Sequence, residues 1–259
     1  GDDHGEERIF SSTDSESLTI KGSLNSSLSL INKIDFNYRN SDYSLTEAHE
    51  EEDHGDDDHG DDDHAPTVFM NDATEFSTIF DISGDNTTQK ISLNFVDEEN
   101  SIVGEEAFMN PVKSDEFTVG YFLSKKFDLV SLDLGVRFDQ IDRDGSVSHE
   151  DGDLDHYSIS DDVTSYALSL GRSINSNIDI NLGFASVERL PSAVELFMNG
   201  PHMATGRFEV GDPTLKSETS ENIDLSFNYE TDNTYAFLSL YFNDVDNYIA
   251  LIDEDDHGD

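Results

Sequence analysis

The sequence predicts an all-β protein, an antiparallel up-and-down sheet of the transmembrane-barrel kind. Three observations carry this expectation. Apolar and polar residues alternate with a period of two through about ten separate stretches. The connections between stretches are alternately short and long, which in a meander collects all tight turns on one rim and all long loops on the other. The apolar runs are about nine to eleven residues, enough to cross a bilayer when tilted.

The first stretch, near residues 17–24, places Leu18, Ile20 and Leu24 on one face and Thr19, Lys21 and Ser23 on the other. After the turn at Asn25, the second sets Leu30, Ile34, Phe36 and Tyr38 against Lys33, Asp35, Asn37 and Arg39. The third carries Phe76, Phe80 and Ile82, and closes in a turn of Ser, Gly, Asp, Asn and Thr at 83–88. The fourth has Ile91, Leu93 and Phe95, and the fifth Phe117, Val119, Tyr121 and Leu123. The sixth alternates most regularly, with Val130, Leu132, Leu134, Val136 and Phe138 opposed to Ser131, Asp133, Gly135, Arg137 and Asp139. The seventh has Tyr166, Leu168 and Leu170, the eighth Ile178, Ile180, Leu182 and Phe184. The ninth has Ile223, Leu225, Phe227 and Tyr229, and the tenth Ala236, Leu238, Leu240 and Phe242.

Short turns are expected near 26, 86, 126, 175 and 232, and long loops at 48–66, 97–114, 143–157, 187–216 and beyond 252. In the loop at 187–216, residues 192–198 read as one or two helical turns. The polar faces carry Ser, Thr, Asn, Asp and Gly, which suits a crowded wet lumen. The apolar faces would then meet lipid, with Tyr38, Tyr121 and Tyr229 as interfacial residues. A soluble β-sandwich with the same alternation is the alternative.

The chain has 259 residues, with 58 acids against 14 bases and a formal charge of −44. Nucleic-acid binding needs Lys and Arg on phosphates, so this balance argues against it. Cations are attracted over a Debye length of about 8–10 Å, although a generally acidic proteome would give the same bias. Cysteine is absent, so any metal site must use His, Asp or Glu. No secretory signal or apolar run of membrane-helix length is present, and both ends read as the interior of polar loops, so a piece of a longer chain is expected.

Residues 48–66 form a His/Asp-rich loop in which His49, His54, His59 and His64 recur every five residues. A step of five aligns on neither a helix nor a strand, so loose capture of several ions is expected rather than one tight site. A solvated acidic loop is the alternative. All nine histidines, including His149, His156 and His202, fall in the predicted long loops or the termini, with none in a strand core. Imidazole with carboxylate suits Zn²⁺ and similar divalent ions. The acidic stretch at 142–153 lacks the spacing of an EF-hand and reads as solvated loop. No nucleophile set or phosphate loop is found, so no enzyme is expected.

One composite motif carries a family resemblance. Arg189, Pro191, Ser192, Glu195, Leu196 and Phe197, followed by Gly211, Asp212, Pro213, Leu215 and Glu218, resemble the pattern of TonB-dependent outer-membrane receptors. The run of Asn199, Gly200, Pro201 and His202, with Gly104, Glu105, Glu106, Ala107 and Phe108, is similar to the branch associated with zinc uptake.

The resemblance implies a 22-stranded barrel in the outer membrane of a Gram-negative bacterium, with residues 1–259 as a partial barrel domain. The plug is absent from this sequence, and coupling to the TonB–ExbB–ExbD complex would run through that missing N-terminal part. It implies transported Zn²⁺ with no prosthetic group, an inner site of His202 with Glu105 or Glu106, and capture by His49, His54, His59 and His64, with His149 and His156 nearby. Arg189, Pro191, Glu195, Gly211, Pro213 and Glu218 would be structural. The rival expectations are a receptor of the same fold for a chelate (siderophore, haem or cobalamin), which would want aromatic or basic loop residues, in both of which these loops read as poor, and a non-transport acidic surface barrel.

Overall fold

The computed structural model describes residues 8–50, 66–104, 107–149, 152–202 and 207–252, with side chains for 10–48, 66–104, 107–149, 152–201 and 207–252. Its strands in chain order are β1 (Arg8–Asn25), β2 (Lys33–Glu50), β3 (Thr67–Asp81), β4 (Thr87–Val103), β5 (Val112–Lys126), β6 (Val130–Ser148), β7 (Leu154–Asn175) and β8 (Ile178–Arg189). A short helix α1 (Ala193–Phe197) and a small hairpin of β9 (Asn199–His202) and β10 (Arg207–Val210) follow, then β11 (Glu218–Thr231) and β12 (Thr234–Asp246). Ten of these strands form one antiparallel sheet in the order β1 to β8, β11, β12. β9 and β10 pair only with each other.

All five short turns lie where the sequence places them. They close where the strands pair to their last residues at this end: Asn25 faces Lys33, Asn175 faces Ile178, and Thr231 faces Thr234. Asn86 takes a positive φ of 58°, a conformation Asn tolerates better than most residues. The Asn32 amide donates to the Ser83 carbonyl at 2.6 Å and ties the first two turns together.

The strands are longer than the apolar runs. β6 continues to Ser148 and β7 begins at Leu154, so most of the expected loop at 143–157 is a rim extension of the sheet. The expected loop at 97–114 contracts in the same way, because β4 runs to Val103 and β5 starts at Val112. Polar residues with no apolar alternation continue these ladders because backbone bonds and cross-strand pairing suffice once register is set. His49, His156 and His202 therefore lie within strands, contrary to the expectation that every histidine falls in a loop.

Directly opposed residues share a face, and the register makes the apolar face continuous. Tyr38, Phe76, Phe95 and Phe117 form one row across β2 to β5. The Phe95 and Phe117 rings are 4.8 Å apart. Beyond β5 the top of the band steps down by one row per strand. Phe138 faces Val119, Tyr166 faces Val136, and Phe184 faces Leu168. From β8 to β12 it runs level through Ile223 and Phe242. A fall of roughly 20 Å across the eight strand spacings from β2 to β12 is a strand tilt of roughly 30°, in the direction of the tilt that closed barrels require. Tyr121 lies inside this band rather than at its border, and its hydroxyl reaches the Gln89 side chain at 2.8 Å.

A barrel wall turns its apolar face outward, so its buried core must be found elsewhere. Ile102, Phe108, Met109, Val112, Leu196, Phe197 and Met198 form that core. It lies at the long-loop rim, on the polar face of the sheet, and it positions the site described next.

Candidate functional site: the loop nest at the rim

The corner after β8 is built from the composite motif. Ser192 caps α1: Glu195 donates its backbone N–H to the Ser192 hydroxyl, and the Glu195 carboxylate accepts from the Ser192 backbone N–H at 2.7 Å. The same carboxylate pairs with Arg189 at 2.8 Å, and Arg189 also reaches Glu218 at 3.5 Å. Burial alone would raise the Glu195 carboxyl. The bonds from Arg189 and Ser192 outweigh that and hold it below the ordinary glutamate value.

Gly211 and Asp212 then close the loop, donating to Met198 and Glu195 carbonyls at 2.6 and 2.9 Å. A Cβ on Gly211 would stand 2.7 Å from the Glu195 carbonyl oxygen, which explains glycine in the motif. In the described structure Pro191 offers its carbonyl oxygen to Arg143 at 2.8 Å.

Three rim connections are joined into one body. Asn199 donates its backbone N–H to the Phe108 carbonyl at 2.7 Å. The Asn199 amide side chain binds the Ser148 carbonyl at 2.7 Å, and Asn110 binds the Ser146 carbonyl and Ser148 hydroxyl at 3.1 and 2.9 Å. Phe197, 1% exposed, packs on β6 with its ring 6.2 Å from that of Tyr157. A fourth connection touches this body through Gly104, whose φ of +130° and close approach to Pro66 and Thr67 leave no room for a side chain.

Beside the nest, Arg143 is nearly enclosed, with its side chain 11% exposed, and pairs with Glu116 at 3.5 Å. Both residues lie above the aromatic row, outside the membrane-spanning part of the wall. Burial pushes the Arg143 guanidinium down and the Glu116 carboxyl up from their usual values. Arg143 lines a cavity of about 410 Å³ between the wall and the nest, together with Tyr43, Phe69, Glu98, Phe108 and Val194. The rim is thus neither poor in aromatics nor without a base on its inner side, contrary to the sequence expectation. The missed signal is parity: Phe69, Tyr157 and Arg143 fall on the polar face of strand extensions, the last two in a segment read as loop.

The expected metal-binding residues are only partly described. Glu105, Glu106, His54, His59 and His64 lie outside the described residues, and His49 and His202 are described as backbone alone. His49 pairs with Ile9 near the rim end of β2, and His202 pairs with Arg207 at the tip of β9. His149 Nε2 lies 2.8 Å from an Asp155 carboxylate oxygen, and His156 pairs with Ser146 in the same hairpin. Among the described residues no group of three or more His, Asp or Glu is placed to hold a metal ion.

A family model described as the TonB dependent receptor-like β-barrel matches residues 1–259. Among solved structures, "Copper transporter OprC" aligns over 92% of this chain and 40% of its own length, with a TM-score of 0.73 and 14% identity. A double mutant of the Serratia marcescens hemophore receptor HasR, solved with its hemophore HasA and haem, aligns over 93% of this chain and 41% of its own, with a TM-score of 0.70 and 12% identity. A curated protein of Haemophilus influenzae, "Probable hemoglobin and hemoglobin-haptoglobin-binding protein 1", is 31% identical over 91 residues, 35% of this chain and 8% of that protein. The chain thus spans well under half the length of these relatives.

Proposed function

Since this chain belongs to the TonB-dependent receptor β-barrel family, transport receptors of the Gram-negative outer membrane rather than enzymes, we propose that it forms part of a receptor for zinc or a similar divalent ion. Uptake would be driven through the TonB–ExbB–ExbD complex by parts of the receptor outside this sequence. One observation carries the reading: every segment bearing histidine connects to the same rim. Residues 51–65 join the rim ends of β2 and β3, His149 and His156 lie in the rim hairpin of β6 and β7, and His202 lies in β9. The terminal segments with His4 and His257 adjoin the rim ends of β1 and β12.

With a charge of −44, such a mouth concentrates cations. His49, His54, His59 and His64 would gather them, and His202 with Glu105 or Glu106 would select the one that passes. The described neighbours of these candidates belong to one body, since Gly104 abuts Pro66, and Gly200 is packed closely on Phe108.

The test is zinc accumulation by cells carrying the full-length receptor. Replacing His49, His54, His59 and His64 with Ala should raise the zinc concentration needed for half-maximal uptake. His202→Ala should abolish saturable uptake. Wild-type uptake in both variants removes the zinc reading.

A chelate receptor is the second reading, favoured by the aromatic nest around Phe108 and by the buried Arg143. Growth on haem or a ferric siderophore as sole iron source, dependent on this receptor and indifferent to zinc, would select it.

A further inference from the structure

The connection leaving β12 is tied to a neighbouring corner of the rim. The last ladder pair of β11 and β12 is Thr219 with Asp246. At Asn247 the chain takes a positive φ of 52°, a conformation that Asn tolerates better than most residues, and turns across the start of β11. Two hydrogen bonds hold it there. The Asn247 side-chain amide donates to the Ser217 carbonyl at 3.3 Å, and the Ile249 backbone N–H donates to the Glu218 carboxylate at 2.9 Å.

Glu218 is also the second acid on Arg189. The carboxylate oxygen that accepts from Ile249, Oε2, lies 3.5 Å from the Arg189 guanidinium. Arg189 in turn holds the Glu195 carboxylate, which accepts from the Ser192 backbone N–H and caps α1. One path of polar contacts therefore runs from Ile249 through Glu218, Arg189 and Glu195 to Ser192. Its two ends differ in how firmly they are held. Tyr248, Leu251 and Ile252 are exposed, so apolar burial adds little to the two bonds of their segment, and a segment held this way opens at low cost. At the other end Leu196 and Phe197 of α1 are buried.

We propose that residues 247–252 form a strap hinged at Asn247, whose latching on Glu218 fixes that carboxylate for Arg189 and so tightens the capped corner at 192–198. When the strap opens, Glu218 loses the N–H that orients it, and the Arg189–Glu195 pair loses its outer brace. The state of the connection leaving β12 is thereby felt at the loop nest, because α1 seats the nest on β6 through Phe197 and Gly145. The coupling runs through contacts that both segments share. It needs no ligand and stands apart from the uptake reading.

Hydrogen exchange of the purified full-length receptor, read on peptides covering 192–198 and 247–252, tests it. Asn247→Ala removes the bond to Ser217 and puts a residue that resists a positive φ at the hinge. It should speed exchange at 247–252 about fivefold, the scale of one lost hydrogen bond. It should also speed exchange at 192–198 about twofold or more. Glu218→Ala should free both segments. Glu218→Gln keeps an acceptor for Ile249 and loses the charge that faces Arg189, so 192–198 should loosen while 247–252 stays protected. Wild-type exchange at 247–252 in Asn247→Ala or Glu218→Ala overturns the latch, as does equal loss of protection there in the two Glu218 variants. Faster exchange at 247–252 with 192–198 unchanged in Asn247→Ala overturns the coupling.

Discussion

The ring of Phe197 lies on Gly145. A methyl group at that glycine would stand 2.8 Å from both Cδ2 and Cε2 of the ring. This contact seats α1 against β6, and it exists because β6 continues past the apolar band into the rim. Glycine is required here for close approach rather than for an unusual backbone angle.

Gly145→Ala should therefore lift the loop at 190–217 from the wall. Overpacking of this kind costs about 1–3 kcal/mol. Limited proteolysis of the full-length receptor should show faster cleavage within 190–217, with the rest of the barrel unchanged. Phe197→Ala should do the same through lost burial, at about 3–5 kcal/mol locally.

Acidification should loosen the corner at Glu195. Its carboxyl is held below the ordinary glutamate value of about 4.3, so its stabilising contribution is complete above that value. The contribution is lost as pH falls through the lower folded value. Hydrogen exchange at residues 192–198 should rise in that window, and Glu195→Gln should remove the pH dependence.

Arg143→Met should destabilise the nest more than its loss of volume explains, since it strands Glu116 and frees the Pro191 carbonyl. The cost should be near the lower end of the range for broken buried pairs, about 3 kcal/mol, because Glu116 is 33% exposed. Adding Glu116→Leu should restore part of it. A double-mutant cycle on thermal unfolding measures the coupling, and additive effects would show the pair to be energetically idle.

Gly104→Ala should part Pro66 and Thr67 from the nest. Its φ of +130° disfavours any side chain, and the added Cβ would collide with the Pro66 carbonyl. If capture and selection of zinc depend on that junction, half-saturation of uptake should shift while total zinc binding by the receptor is preserved.

Period-two alternation exposes a strand only where one face is apolar. The ten crossings, their turns and the outward face were therefore legible from residues such as Val130 to Phe138 and Ile223 to Tyr229. The rim extensions were not, because Asp142, Asp144 and Ser146 on β6 show no such contrast. The nest was half legible. The run at 189–218 marked a corner with a capped helical turn, but nothing near Arg143 announces a partner at Pro191, 48 residues away.

Sequence alone determined the sheet, its order and its two unlike rims, because alternation and connection length are local properties of the chain. It also determined that histidine collects toward the long-loop rim, though not that some of it would stand in strands there. Only the tertiary structure decided that three rim connections fuse over an inward-facing aromatic core, and that Glu98 and Arg143 line one cavity while Arg143 also pairs with Glu116. Those relationships depend on register, and register between distant strands is set by the packing of the whole sheet.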